Sequence, residues 1–300
     1  MPCLRVEVNR FLAYCEKFTT LCKVILILQH IATFTKNIHL KVFFIAITLL
    51  NSSATFLVNG TKVTTVVIDP GHGGRDPGNM GKKSKEKDIA LKISLKFGAY
   101  IEKNHPDVKV IYTRKDDRYV DLDERAVLAN KVKADLFICI HCNSEGGTSA
   151  YGTETFVMGL SKDQRNFEVA KRENSVILLD DNYQERYEGF DPGSPESYIL
   201  FTLSQSAFQE SSLRFAQKIE DQFKKKTGRY SRGVKQAGFW VLWRTAMPSV
   251  LVETGFLSNP KEESFMITDS GQDMIASGIY HAFKEYKTEM ESIGSNEKNK

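Results

Sequence analysis

The sequence predicts an α/β domain in which a largely parallel, twisted sheet is flanked by helices on both faces. Short apolar runs rich in β-branched residues alternate with amphipathic helical patterns, and this alternation is typical of parallel sheets. The 300 residues are 41% hydrophobic and 26% charged, with a net charge of +4, which is ordinary for a globular protein. No basic stripe with interleaved aromatic residues occurs, so we expect no nucleic-acid partner.

The elements follow from the local patterns. We expect strands at Val66–Ile68, Val108–Tyr112, Leu136–Ile140, Thr153–Val157, Phe239–Trp243 and Ser249–Val252. We expect helices at Ser84–Asn104 with Ser84 as its N-cap, and at Asp121–Lys133, Lys162–Leu178, Gln205–Lys226, Lys261–Ile267 and Gln272–Lys287. The domain should therefore span residues 62–287, interrupted by a helical insertion at 161–228 and followed by a polar, disordered tail at 288–300.

Residues 36–54 have the order of a secretory signal peptide. A short basic region precedes the apolar core Val42–Leu50, and Ser52–Ala54 supplies the small residues of a cleavage site. Residues 1–35 are then interpreted as an upstream extension. The alternative is a membrane anchor across Val24–Leu50, but the apolar core itself is too short for a span. We therefore expect a periplasmic or secreted protein with no stable membrane span after processing.

Polar side chains end or follow three of the predicted strands: His72, His141 and Glu253. Because parallel strands place their carboxyl ends at one edge of a sheet, we expect these side chains to lie close together. Glu86 precedes Ile89 by three residues, which puts it on the inward face of the first helix. An unpaired carboxylate is costly there, and a metal ion would offset that cost.

Two histidines and a carboxylate from separate elements are the ligand set of a catalytic zinc site with a fourth position open to water. Zinc lowers the pKa of that water and polarises a carbonyl. Glu253 follows an apolar strand, so burial should raise its pKa and suit it to act as general base and proton donor. Taken singly, His72 could be structural, Glu86 a solvated first-turn acid, and Glu253 a cap for the next turn.

Two cysteines, Cys139 and Cys142, lie within the predicted domain. Their spacing in an extended segment is too wide for a disulfide, so we expect both to be free and buried. The pair has half of the ligand pattern of a structural zinc site, but no second pair completes it. Cys142 beside His141 remains an alternative thiolate ligand.

Five segments match a known family in order and number: Val67–Gly74, Glu86–Leu91, Ala134–Asn143, Arg232–Lys235 and Met247–Asn259. Through them the chain resembles the zinc-dependent N-acetylmuramoyl-L-alanine amidases of the cell-separation type. The resemblance implies zinc on His72, Glu86 and His141, and catalysis by Glu253. It implies cleavage of the amide between the lactyl group of N-acetylmuramic acid and L-alanine of the peptidoglycan stem peptide, in cell-wall turnover and daughter-cell separation. Family members often carry Ala where this chain has Cys142.

The resemblance also gives an interpretation of the insertion at 161–228. Some family members carry a helical segment there that covers the zinc site until an activator protein displaces it. Ala170–Asn174 resembles the part that reaches the metal in those relatives, which implies Glu173 as an autoinhibitory zinc contact. The alternatives are an exposed helix face at Glu173 and an insertion that binds substrate or a partner.

Two other functions remain open from the sequence. A non-catalytic wall-binding protein would keep the fold, although it has no need of a general base such as Glu253. A zinc carboxypeptidase would use similar ligands, but it needs an arginine to hold the terminal carboxylate of a peptide. Arg75, Arg114 and Arg125 are the candidates for that role.

Overall fold

The computed structural model describes residues 62–161, 163–199, 201 and 207–297. The predicted extension at 1–35 and the predicted signal peptide at 36–54 lie outside these residues. Among the helices in the described ranges, none has the length and apolar character needed to cross a membrane.

A six-stranded mixed sheet forms the centre of the described part of the chain. Its strands are β1 (Thr65–Pro70), β2 (Lys109–Tyr112), β3 (Leu136–Asn143), β4 (Thr153–Met158), β5 (Ser231–Ala237) and β6 (Ser249–Phe256). Their spatial order is β2-β1-β3-β6-β4-β5. Strands β2, β1, β3 and β6 are parallel to one another. Strand β4 is antiparallel to β6, and β5 is parallel to β4. The prediction of a largely parallel sheet is therefore confirmed, with the antiparallel β4–β5 pair at one side.

Helices cover both faces of this sheet, as predicted. Within the described ranges they are α1 (Glu86–Asn104), α2 (Leu122–Lys131), α3 (Gln164–Asn174), α4 (Tyr183–Arg186), α5 (Gln209–Lys226), α6 (Trp240–Trp243), α7 (Pro260–Met266) and α8 (Asp269–Glu297). Side chains alternate along β1, so that Val66 and Ile68 join a core with α1, α5 and α8. Val67 faces the other way, into a core formed with α2, α3 and α6.

The segment between β4 and β6 differs from its predicted structure. Phe239–Trp243 was expected as a strand, but Trp240–Trp243 forms the short helix α6. A short run that is apolar throughout does not distinguish a strand from a buried helical turn. The actual strand is the preceding β5, which was not predicted because it lies at the sheet edge and its sequence, Ser231–Ala237, is mostly polar.

Three predicted boundaries are also wrong. Helix α1 begins at Glu86 rather than at Ser84, whose hydroxyl instead donates to Glu263 at 2.8 Å. Helix α5 packs into the core through residues such as Phe215, so the predicted insertion at 161–228 includes a helix of the domain body. Helix α8 runs to Glu297, and residues 288–297 are helical rather than disordered because buried Met290 extends the apolar stripe of the helix.

Candidate metal centre and active site

His72 lies in the loop that follows β1, and several polar contacts fix its position. Its backbone has φ 61°, an uncommon left-handed conformation for a residue other than glycine. Arg125 stabilises this turn by donating from Nη2 to the His72 carbonyl oxygen at 2.9 Å. The ring nitrogen Nδ1 lies 2.7 Å from Asp76 Oδ2. The other nitrogen, Nε2, is therefore directed towards the centre of the site.

Glu86 is the first residue of α1 and is fully buried, as the helical pattern predicted. Its Oε2 accepts hydrogen bonds from the backbone and side-chain nitrogens of Asn79, at 2.7 and 2.8 Å. Its Oε1 accepts one from the Cys142 amide at 2.8 Å. These donors hold the carboxylate in one orientation, and Gly78 leaves room for it because a Cβ there would come within 2.7 Å of Glu86 Oε2.

The structure brings His72, Glu86 and His141 together, and Glu173 joins them. Glu86 Oε1 lies 3.0 Å from His72 Nε2 and 3.0 Å from His141 Nδ1. Glu173 Oε2 lies 3.2 Å from His72 Nε2 and 3.1 Å from His141 Nδ1. One ligand atom from each of the four buried residues lies within 4.8 Å of all the others. Two imidazole nitrogens and two carboxylate oxygens at such separations fit a zinc ion.

The charges of this cluster are matched to a divalent cation. Burial lowers the pKa of His72, but the nearby carboxylates Glu86, Asp76 and Glu173 outweigh it and hold that pKa well above its usual value. The pKa of His141 is likewise raised despite burial, through Cys139 and Glu173. The pKa of Glu86 falls to about 2, because attraction to His72 overcomes the opposing effect of burial. A metal ion would replace the two imidazolium protons without changing the total charge.

Glu253 lies beside the cluster, at the position where β6 pairs with β3. Its register partner on β3 is His141, and the two side chains point to the same face of the sheet. Glu253 is completely buried, and neither carboxylate oxygen has a hydrogen-bond partner among the described residues. Burial first, and then the charges of Glu173 and Glu86, raise its pKa well above the usual value. An unpaired, easily protonated carboxylate at this position is suited to proton transfer.

The space around the histidines is too small for a substrate. A cavity lined by His72, His141 and Glu173 measures about 20 Å³, which is room for about one water molecule. Helix α3 closes it, since it positions Glu173, a residue that is only 5% exposed. The alternative that Glu173 lies on an exposed helix face is therefore wrong.

The alternative residues have other roles. Arg114 and Arg125 are buried and donate to backbone carbonyls of the loop after β1, including Gly71 O at 2.7 Å from Arg114 Nη2. The Arg75 guanidinium stacks over the Tyr119 ring at 4.4 Å. None of these three guanidinium groups is arranged as a clamp for a peptide carboxylate.

Both cysteines are free and buried, as predicted. Cys142 points to the face of the sheet opposite His141 and packs in the core with α1. Its Sγ lies 3.4 Å from Thr254 Oγ1, so the thiolate-ligand alternative is wrong.

Sequence reasoning missed the residues that orient the cluster. Asp76 and Asn79 could have been suspected, since both occupy the polar loop between His72 and Glu86. Arg172 lies in the segment Ala170–Asn174 that resembles the relatives, but no local pattern predicted its contacts. It donates from Nη2 to Asn143 Oδ1 at 2.8 Å and from Nη1 to Ser144 O at 3.0 Å, contacts that depend entirely on how α3 packs.

The fold and the site define an α/β protein with a buried histidine–carboxylate cluster that could hold a metal ion at the carboxyl ends of its parallel strands. A family model described as N-acetylmuramoyl-L-alanine amidase, Amidase_3, matches residues 66–285. The chain belongs to this family.

Individual relatives agree with this assignment. The chain is 32% identical over 228 residues to N-acetylmuramoyl-L-alanine amidase AmiC of Escherichia coli O6:H1, a match that covers 74% of this chain and 52% of AmiC. The chain thus spans about half the length of that relative.

Solved structures share the fold. An N-acetylmuramoyl-L-alanine amidase from Clostridium difficile 630 superposes with a TM-score of 0.57 and 30% identity, covering 75% of this chain and 97% of that one. The CwlD amidase from Clostridioides difficile, solved in complex with the GerS lipoprotein, gives a TM-score of 0.55 and 27% identity, with coverage of 75% and 98%.

Proposed function

We propose that this protein is a zinc-dependent hydrolase that cleaves the amide between N-acetylmuramic acid and L-alanine of the peptidoglycan stem peptide. The buried His72–Glu86–His141 cluster beside the unpaired carboxylate of Glu253 is the observation that carries the proposal. These three cluster residues would hold the zinc. Zinc, when bound, supplies an activated water and polarises the amide carbonyl.

Glu253 would perform the proton transfers. Its unpaired carboxylate takes a proton from the attacking water and returns it to the leaving nitrogen. Its raised pKa supports the second transfer, because a carboxyl group that binds its proton tightly can carry it through the reaction. The hydrogen bond that Asn79 donates to Glu86 and the one that Asp76 accepts from His72 keep Glu86 and His72 oriented meanwhile.

Product analysis on purified peptidoglycan, with and without a metal chelator, tests this function. Free stem peptides and unsubstituted muramic acid, both lost on chelation, are expected. Release of a single terminal amino acid would instead identify a carboxypeptidase, and the absence of any chelator-sensitive product would indicate a binding protein.

We further propose that α3 holds the enzyme in a closed state. Glu173 Oε2 lies at 3.2 Å from His72 Nε2 and 3.1 Å from His141 Nδ1, in the position where an open zinc site would bind water. Substrate could enter only if this helix moved, since the remaining cavity is about 20 Å³. The regulatory segment would then be α3 and the turns after it, without α5.

An activator protein would displace this segment. Two sets of hydrogen bonds attach α3 to the domain: those of Arg172 with Asn143 and Ser144, and those of Asn174 with the chain around α6. Val169 and Ala170 of α3 also pack in the core with α2 and α6. The partner of the CwlD amidase is a lipoprotein, which supports the idea that amidases of this fold bind regulatory proteins. Binding assays between the purified protein and candidate division-associated proteins, with activity as the second readout, test this step.

Export would bring the enzyme to the peptidoglycan in the periplasm or outside the cell, where it would act in daughter-cell separation. The signal-peptide pattern at residues 36–54 supports this localisation. Mass spectrometry of the exported protein is expected to find a terminus just after Ala54. An intact Met1 terminus would contradict the signal peptide.

A further inference from the structure

Cys139 lies directly behind His141, at a place that no part of the proposed mechanism uses. The two residues are two positions apart on β3, so their side chains lie on the same face of the sheet. Cys139 Sγ is 3.1 Å from His141 Nε2. The opposite ring nitrogen, Nδ1, is the one that faces Glu86 and Glu173. Cys139 is therefore the partner of the His141 nitrogen that does not face the metal centre.

The thiol is in turn bound to a buried carboxylate. Cys139 Sγ donates to Asp69 Oδ2 at 2.9 Å. The other oxygen, Asp69 Oδ1, accepts from Thr113 Oγ1 at 2.5 Å and from Arg125 Nη1 at 2.8 Å. Asp69 has no solvent exposure and Cys139 is 1% exposed. Because both groups are buried and Asp69 is held by two further hydrogen bonds, the hydrogen-bond partners of the Cys139 thiol are fixed.

The direction of these hydrogen bonds fixes the tautomer of His141. An ionised carboxylate only accepts, so the S–H hydrogen points to Asp69 and the sulfur lone pairs face His141. The ring then carries its hydrogen on Nε2 and leaves the Nδ1 lone pair for a metal. His72 has the opposite arrangement, because Asp76 binds its Nδ1. Partners of this kind, behind metal-binding histidines, orient the ring and increase its basicity.

We propose that Cys139 is a positioning residue which, supported by Asp69, holds the His141 ring in the tautomer and orientation that bind zinc through Nδ1. The inference rests on the proposed zinc-dependent function. It gives the metal centre two supports: a direct carboxylate–histidine pair at His72 and a carboxylate–thiol–histidine chain at His141.

The variants Cys139→Ala, Cys139→Ser and Cys142→Ala test this role. Cys142 is the matched control, since it lies on the same strand, is equally buried, and faces away from the site. Zinc affinity, measured by competition with a chromogenic chelator, is expected to fall about 10- to 100-fold in Cys139→Ala. It should stay near the wild-type value in Cys139→Ser, whose hydroxyl can replace the thiol, and in Cys142→Ala. Equal zinc affinities for Cys139→Ala and Cys142→Ala would overturn the inference.

A measurement on the unaltered protein avoids any dependence on how the variants fold. Long-range ¹H–¹⁵N spectra of the zinc-loaded protein should show His141 protonated at Nε2 and His72 protonated at Nδ1. Protonation of His141 at Nδ1 would overturn the inference while leaving the amidase function intact. Wild-type protein that neither binds zinc nor releases stem peptides would refute the proposed function, and the inference with it.

Discussion

Glu253 and Glu173 are both buried carboxylates in one site, yet their pKa values shift in opposite directions. Burial by itself acts to raise the pKa of both carboxyl groups. For Glu173, the adjacent imidazolium groups of His141 and His72 outweigh burial and lower the pKa well below its usual value. Glu253 has no hydrogen-bond donor among the described residues and is repelled by Glu173 and Glu86. The same residue type is therefore held ionised between two histidines at one position and favours its protonated form at the other.

Replacing Glu253 by Gln should remove catalysis without removing the metal. We expect turnover of peptidoglycan to fall about 10²- to 10⁴-fold, because the side chain of a glutamine cannot take a proton from water and pass it to the leaving nitrogen. The comparison is best made in the Glu173→Gln background, where the site is expected to be open. Zinc content, measured by atomic absorption, should stay at the parent level. Full turnover in Glu253→Gln would exclude its role as general base.

The same substitution should stabilise the metal-free protein in a pH-dependent manner. A carboxyl group whose pKa is higher in the folded state contributes stability below its unfolded pKa, and that contribution is lost as pH rises towards the folded pKa. Glu253→Gln has no such loss, so its melting temperature should exceed that of wild type by several degrees at pH 7–8. The difference should shrink towards pH 4.

Thermal melts of the chelated proteins across this pH range measure the effect. Glu168→Gln is a suitable control, because Glu168 lies on the exposed side of α3. If the difference in melting temperature between Glu253→Gln and wild type did not change with pH, Glu253 would not be a buried carboxyl group with a raised pKa.

At the scale of elements, α3 is the part of the fold that covers the cavity beside the two histidines. Its inner face carries Glu173 and Asn174, both buried, while Arg172 reaches across to the loop after β3. Asn174 donates from Nδ2 to Gly238 O at 2.7 Å and accepts from Trp240 N at 2.9 Å. The helix is therefore attached by polar contacts on either side of the cluster and by the packing of Val169 and Ala170 in the core with α2 and α6. Such contacts can be broken without unfolding the sheet.

Weakening this attachment should activate the enzyme. Glu173→Gln and Arg172→Ala each remove a charged contact, which contributes about 1.5–3 kcal/mol. Activity without an activator should consequently rise about tenfold or more. Hydrolysis of dye-labelled peptidoglycan measures the change, with Glu168→Gln as the control on the same helix. Activity that was unchanged or lower in both variants would refute autoinhibition.

At the scale of the whole molecule, the candidate metal centre joins parts of the chain that are distant in sequence. It connects the loop after β1, the start of α1, the end of β3 and the end of α3. A zinc ion bound by these parts binds the folded state and not the unfolded chain. Its binding energy should therefore add to the stability of the fold.

Removing the metal should lower the melting temperature of the whole domain. With free zinc at 1,000 times its Kd, the stabilisation is about 4 kcal/mol. This corresponds to a decrease of roughly 10 °C on chelation for a domain of this size. Calorimetry with and without a chelator measures the shift, and His72→Ala should show little of it. An equal shift in His72→Ala would place the stabilising metal elsewhere.

The sequence was sufficient to predict five of the six strands, all but β5, and the residues at the carboxyl edge of the sheet. His72, His141 and Glu253 each end or follow an apolar run, and Glu86 lies on the apolar side of a helical pattern. These are local signals. Because parallel strands have their carboxyl ends at one edge of the sheet, they also predict that the side chains lie close together. The polar edge strand β5 and the apolar turn α6 gave no such signal, since hydrophobic pattern alone identifies neither.

What only the tertiary structure decided is how that edge is supported and closed. The contact between Cys139 and Asp69 joins residues that are 70 positions apart, and Arg172 meets Asn143 across 29 positions. No local periodicity encodes such pairs, because they arise from how separate elements pack. The sequence by itself thus determined which side chains gather at the carboxyl edge of the sheet. The packing of α3 and β1 against β3 decided how His141 is oriented and that Glu173 lies against both histidines.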